Sequence, residues 1–108
     1  MRLLLIEDSQ DDELLLRFAL EEAGFALDLL RVETEAALRE ALRTDDWQVI
    51  LSDYNLPTLN GLQALQIVRE RNARIPFFFI SGTVSDEIGA QAMAMGASDY
   101  LLKDNLTR

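Results

Sequence analysis

Short apolar runs of strand length, separated by stretches with helical spacing, constrain this chain more than any other feature. Leu3–Ile6, Val49–Leu51 and Phe77–Ile80 are too short for buried helices, and the more mixed runs Leu27–Val32 and Asp99–Leu102 fall between further helical stretches. A strand that is apolar on both faces belongs in a parallel sheet covered by helices. The third run ends in a carboxylate, Val49-Ile50-Leu51-Ser52-Asp53, and continues as Tyr54-Asn55-Leu56-Pro57. In open α/β sheets ligands bind at the carboxyl ends of the strands, so Asp53 is a functional candidate. An Asp that only starts a turn before Pro57 is the alternative.

Helix signals fill the gaps between the runs. Ser9 caps a first helix with Asp11, Asp12 and Glu13 in its first turn, where the helix dipole favours negative charge. Its buried stripe is expected at Leu16, Ala19, Leu20 and Ala23, and Gly24 supplies the stop. Thr34 caps a second helix with Ala37, Leu38, Ala41 and Leu42 inward; after the Asn60-Gly61 turn, Leu62, Leu65 and Val68 mark a third that ends near Asn72. Ser85 caps a fourth, Asp86 to Met95, which is rich in Ala, Gly and Met, stops at Gly96 and is expected to be the most loosely held.

The predicted order is β-α-β-α-β-α-β-α-β, and right-handed crossovers turn such an alternation into a parallel sheet with helices on both faces. Five parallel strands call for a fifth helix, and only Asp104 to Arg108 follow the last strand. The expectation is one domain over residues 1–108, lacking most of its C-terminal helix and excised from a longer multidomain protein. An exposed apolar patch is then expected beside the first and third strands.

Composition removes several kinds of chemistry. The 108 residues include no Cys and no His, which excludes disulfides, thiolate nucleophiles, imidazole bases and the usual zinc sites. A net charge of -9 disfavours nucleic acid and suits a divalent cation or a basic protein surface. No apolar run approaches the ~20 residues needed to cross a bilayer, and Glu7-Asp8 interrupts Met1–Ile6 before a signal peptide could form, so the cytoplasm is expected and a membrane is not.

On this topology the strand ends bring Glu7, Asp8, Asp53, Ser81 and Lys103 to one rim. Converging carboxylates repel by about 4 kcal/mol per pair at about 4 Å in an effective dielectric near 20, so a cation is needed. Mg²⁺ takes oxygen ligands and keeps several waters, which makes it the natural candidate. Lys103 is the only lysine among 10 basic residues, a point charge on a flexible stem suited to a phosphoryl oxygen.

Taken together, these residues resemble a response-regulator receiver domain of two-component signalling. The resemblance rests on Glu7-Asp8 after strand one, Asp53 with Asn55-Leu56-Pro57 and Asn60-Gly61 after strand three, Ser81 after strand four, Tyr100 in strand five, and Lys103. It implies a flavodoxin-like (CheY-like) doubly wound sheet with strand order 2-1-3-4-5. It also implies that Asp53 is the phosphoacceptor, taking a phosphoryl group from a phosphohistidine. Asp8, Asp53 and the Asn55 backbone carbonyl would bind Mg²⁺ directly, and Glu7 through water. Lys103 would pair with the phosphoryl group, Ser81 would hydrogen-bond to it, and Ser81 with Tyr100 would switch the surface around helix four and strand five.

By the same resemblance the chain is a stoichiometric, self-phosphorylating acceptor with slow autodephosphorylation, not a turnover enzyme. Its partners would be a sensor histidine kinase or a histidine phosphotransfer protein, with a fused C-terminal output or kinase module; a dimer is compatible with it. Two positions depart from the common pattern: Lys103 precedes Asp104 where many receivers have Pro, and Ser81 precedes Gly82 where many have Thr-Ala. Three other readings are weaker. Glu7-Asp8 would repel a flavin phosphate, and Asn55 stands where an aspartyl-phosphate hydrolase would carry a second acid. A phosphorylation-independent interaction module would have no need of the full acidic set.

Overall fold

The computed structural model describes residues 1–44, 46–54, 56, 58–81, 90, 91 and 93–102, with the side chains of residues 81 and 100–102 outside that description. Five strands, β1 (Arg2–Ile6), β2 (Asp28–Val32), β3 (Val49–Asp53), β4 (Phe77–Ser81) and β5 (Asp99–Leu102), form one sheet in the order β2-β1-β3-β4-β5. Every pairing is parallel, as the doubly apolar runs require. The register sets Ile6 beside Ser52, Asp53 beside Ile80 and Ser81 beside Leu102, so the strands surface together along one rim.

Three helices are bounded in full: α1 (Gln10–Glu22), α2 (Glu35–Ala41) and α3 (Gly61–Arg71). The first two start at the caps expected for them, and the third at Asn60, which the sequence marked only as part of a turn. Ser9 accepts from the Asp12 amide, Thr34 from the Ala37 amide, and Asn60 from the Leu62 amide, while Gln63 reaches back to the Asn60 N–H in a capping box. Gly24 ends α1 with φ of 98°, a left-handed conformation that favours glycine. Gly96 does the same with φ of 101° after helical residues 90, 91, 93 and 94, the described part of the fourth helix.

Two apolar layers hold the sheet. On one face Leu4, Ile6, Ile50, Phe77 and Phe79 pack against Leu38 of α2 and Leu65 and Val68 of α3. On the other, Leu3, Leu5, Leu51 and Ile80 cluster with Leu16 of α1. Leu38, Ala41 and Leu42 are buried as the second helix's stripe requires, whereas in α1 only Leu16 is buried and Ala23, at the cap, is exposed.

On the face expected to carry an exposed apolar patch, the strand side chains are themselves well covered: Leu3, Leu5 and Leu51 are 1%, 2% and 7% exposed. Exposed large apolar side chains include Leu14 and Phe18 of α1, the helix whose Leu16 packs on this face. The strand side chains are covered because the Leu16 cluster, with half-buried Leu20, Val49 and Phe78, closes over them.

At the amino-terminal ends of the strands, away from the rim where they surface together, Arg2 pairs with Asp28 at 2.8 Å and Asp46 at 3.2 Å, and stacks 4.2 Å over Trp47. The Trp47 indole N–H donates to the Ala41 carbonyl at 2.8 Å. Arg69 donates to the carbonyls of Ile75 at 2.7 Å and Gly96 at 2.8 Å, which anchors the approach to β5.

Candidate functional site

Glu7 leaves β1 while its own N–H still donates to Val32 of β2 at 3.0 Å, so the chain turns outward only after this residue. Asp53 ends β3 on the same rim. The ligand oxygens of Glu7, Asp8 and Asp53 all lie within 4.8 Å of one another. Glu7 is 3% exposed and Asp53 7%, whereas Asp8 is exposed, so two acids form a floor and the third stands at the mouth.

The loop that carries the first two acids is tied to itself. Glu7 Oε1 accepts from the Asp8 N–H at 3.1 Å and from the Ser9 N–H at 3.2 Å. Ser9 Oγ in turn accepts from the Asp12 N–H at 3.1 Å, so the acidic loop and the first turn of α1 are one hydrogen-bonded unit.

Asp53 is held from the other side. Its neighbour Ser52 is fully buried and donates its hydroxyl to the Asp53 carbonyl at 2.9 Å. Tyr54 packs edge-on against Phe79 with ring centroids 5.4 Å apart, and the Gly61 N–H donates to the Tyr54 carbonyl at 3.2 Å. A Cβ on Gly61 would lie 2.9 Å from Phe79 Cε1 and from both Cα and O of Tyr54, so α3 can start this close only with glycine.

Hard oxygen donors, three carboxylates and no His or Cys in the chain suit a divalent cation that takes oxygen ligands, such as Mg²⁺. The donors are close enough to share one ion, and the residues fit it. Among the other expected site residues, Asn55 and Lys103 lie outside the described residues. Ser81 and Tyr100 are described only as strand positions, Ser81 one residue beyond the Asp53 partner Ile80, and Tyr100 beside Phe79.

One contributor could not be read from the sequence. Arg31 in β2 donates to Glu13 Oε1 at 2.6 Å, to the Glu33 carboxylate, and to the Glu7 backbone carbonyl at 3.2 Å. Hydrogen bonds to Glu33 and then Glu13 raise the guanidinium pKa above its ordinary value. Its only sequence signal is a cation at an otherwise half-apolar strand's end.

A cleft of about 260 Å³ between α2 and α3 is lined by Arg39, Arg43 and Arg71 with Leu42, Ile67 and Glu70. Arg39 is paired with Glu35 and Arg43 with Glu40, and together with Glu70 these acids offset the three cations. The cleft lies away from the acidic rim and has no net charge to attract an anion.

Comparison with known proteins decides the family: residues 3–107 match the response regulator receiver domain. The chain belongs to the response-regulator receiver family. A relative, the transcriptional regulatory protein CusR of Escherichia coli K12, is 30% identical over 95% of this receiver and 44% of its own length. The cell cycle transcriptional regulator CtrA of Caulobacter vibrioides is 29% identical, again over 95% of this chain and 44% of its own. The receiver thus spans less than half the length of these relatives.

A solved response regulator from Hahella chejuensis superposes with a TM-score of 0.85 at 30% identity, covering 96% of this receiver and 80% of that chain. The signal receiver domain of NarL from Mycobacterium tuberculosis gives 0.80 at 27% identity, over 95% and 83%. This receiver therefore has the CheY-like fold expected from its sequence. No helix among its described residues is long and apolar enough to cross a membrane.

Proposed function

We propose that this receiver is the phosphoacceptor of a two-component or phosphorelay system, taking a phosphoryl group from a phosphohistidine donor onto Asp53 with Mg²⁺ bound. The observation that carries this reading is the set of three carboxylate ligands within 4.8 Å, with Asp53 buried at the end of β3. A carboxylate there is poor company for two others unless a cation joins them. When bound, Mg²⁺ supplies neutralisation of the acids and of the incoming phosphoryl oxygens.

In this reading an Asp53 carboxylate oxygen attacks phosphorus, the P–N bond of the donor breaks, and the imidazole leaves with a proton from water. The product is an aspartyl phosphate. Phosphoryl transfer depends on positioning and charge compensation more than on covalent help, so a chain without His or Cys can perform it. Asp8 and Asp53 would hold the ion directly with the Asn55 carbonyl, and Glu7 would hold it through water. Lys103 would pair with the phosphoryl group and Ser81 would hydrogen-bond to it, drawing Tyr100 inward and altering the surface around the fourth helix and β5.

The acyl phosphate would then decay slowly, so the domain is a stoichiometric acceptor and not a turnover enzyme. Its donor would be a sensor histidine kinase or histidine phosphotransfer protein in the cytoplasm, and its effect would pass to an output or kinase module fused at the C-terminal side. Incubation with acetyl phosphate or phosphoramidate and Mg²⁺, followed by intact-mass spectrometry, tests the chemistry. One acid-labile phosphoryl adduct on the wild type and none on Asp53→Ala is expected. No adduct, or the same adduct on the variant, would leave a phosphorylation-independent interaction module as the better reading.

A further inference from the structure

We infer that Arg31, on the edge strand β2, is a positioning residue for the cation site: it fixes the peptide unit between Glu7 and Asp8 and so sets how Asp8 faces an ion. The inference rests on the reading of the acidic rim given above. The peptide in question has two polar groups, and each is held by a different charged side chain. Its carbonyl, that of Glu7, accepts from the Arg31 guanidinium at 3.2 Å. Its N–H, that of Asp8, donates to the Glu7 carboxylate at 3.1 Å. A peptide plane gripped at both ends cannot rotate without breaking a charge-assisted hydrogen bond.

Arg31 is itself immobilised. Glu13 in the first turn of α1 takes its Nε at 2.6 Å, and Glu33 just past β2 takes its Nη1. The Glu13 and Arg31 side chains are only 17% and 22% exposed, so the pair is shielded far more than a surface ion pair. The backbone carbonyl of Glu33 also accepts from the Thr58 hydroxyl at 3.3 Å, which links the loop after β3 to the same assembly. One guanidinium and its partners therefore join the loops that follow β1, β2 and β3.

Charge alone argues for the opposite outcome, and this makes the inference testable. A guanidinium near a cation site should weaken binding of a divalent ion, so removing it would tighten binding if Coulomb repulsion decided the matter. Arg31→Met would also leave Glu13 and Glu33 unbalanced, so charge predicts tighter binding there and geometry weaker, while Arg31→Lys keeps the charge and isolates the geometric effect. Lysine would keep the charge but lose the planar fork that reaches three acceptors at once.

The experiment is a titration with MgCl₂ of wild type, Arg31→Lys and Arg31→Met, followed through the Asp8 and Ser9 amide resonances, with urea midpoints recorded alongside. The expected result is Mg²⁺ binding weakened about tenfold in both variants, as for other residues that orient metal ligands, with faster exchange of the Asp8 N–H. In acetyl phosphate labelling, the Mg²⁺ concentration for half-maximal rate should rise while the rate at saturating Mg²⁺ stays near that of wild type. A merely structural role would shift the urea midpoint without that split.

Arg31→Lys binding Mg²⁺ like wild type, or Arg31→Met binding it more tightly, would overturn the inference and leave the phosphoacceptor reading intact. Wild type that neither binds Mg²⁺ nor labels on Asp53 would overturn both. Should Arg31→Met fail to fold, Arg31→Lys decides alone, because it retains the buried stem and the charge.

Discussion

Gly61 shows how little room surrounds the acceptor strand. Replacing it with alanine would push a methyl group against Phe79 and the Tyr54 backbone, at 2.9 Å each. Overpacking of this kind costs about 1–3 kcal/mol, so Gly61→Ala should lower the urea midpoint accordingly and slow acetyl phosphate labelling by displacing the residue next to Asp53. At the amino-terminal ends of the strands, the Thr44 side chain and then the Arg2 guanidinium hold the Asp46 carboxyl below its ordinary value of 3.8. A lowered folded-state pKa contributes stability that is present above the unfolded value and is lost as pH falls through the folded one. The acid-side decline in urea midpoint, compared between pH 6 and pH 3, should therefore be shallower in Asp46→Asn than in wild type. Single residues were legible where strand and acid meet: Glu7, Asp8 and Asp53 could be placed because each ends an apolar run. Arg31 could not, because nothing in a linear pattern says that a β2 cation reaches the carbonyl of the residue just past β1.

Elements differ in how firmly they are held. α3 buries Gly61, Ala64, Leu65, Ile67 and Val68, whereas α1, although longer, fully buries Leu16 alone. Since each fully buried aliphatic side chain contributes roughly 1.5–3 kcal/mol, the mid-helix amides of α1 should exchange with solvent deuterium faster than those of α3 at the same pH. Equal protection in the two helices would contradict this. The element order, the Ser9 and Thr34 caps and the glycine stops were legible because they depend on local chemistry. The depth of each helix was not: the α1 stripe was expected to reach Ala23, yet that residue is the exposed cap, since burial depends on what lies across the interface. Half of the fourth helix expected to be loosely held, residues 86–89 and 92, falls outside the described set.

The whole molecule carries a net charge of -9 and gathers three of its acids at one rim, so its stability should depend on the ion that occupies it. Saturating Mg²⁺ at about 100 times its dissociation constant should add roughly 2.7 kcal/mol to the unfolding free energy, and chelation should remove it. In Mg²⁺-free buffer Asp8→Asn should instead be more stable than wild type by about 1–4 kcal/mol, because one repelling charge is gone, and it should gain little from the metal. Thermal melts of both proteins with MgCl₂ or EDTA test this. The chain supplies its own reporter for such melts. Trp47 is its one tryptophan, 8% exposed and clamped between Arg2 and the Ala41 carbonyl, and the six residues to Asp53 put it about 20 Å from the acids along β3. Its emission should record collapse of the entire scaffold and stay dark to ion occupancy, giving the fluorescence of the native protein a flat baseline against which only unfolding is seen.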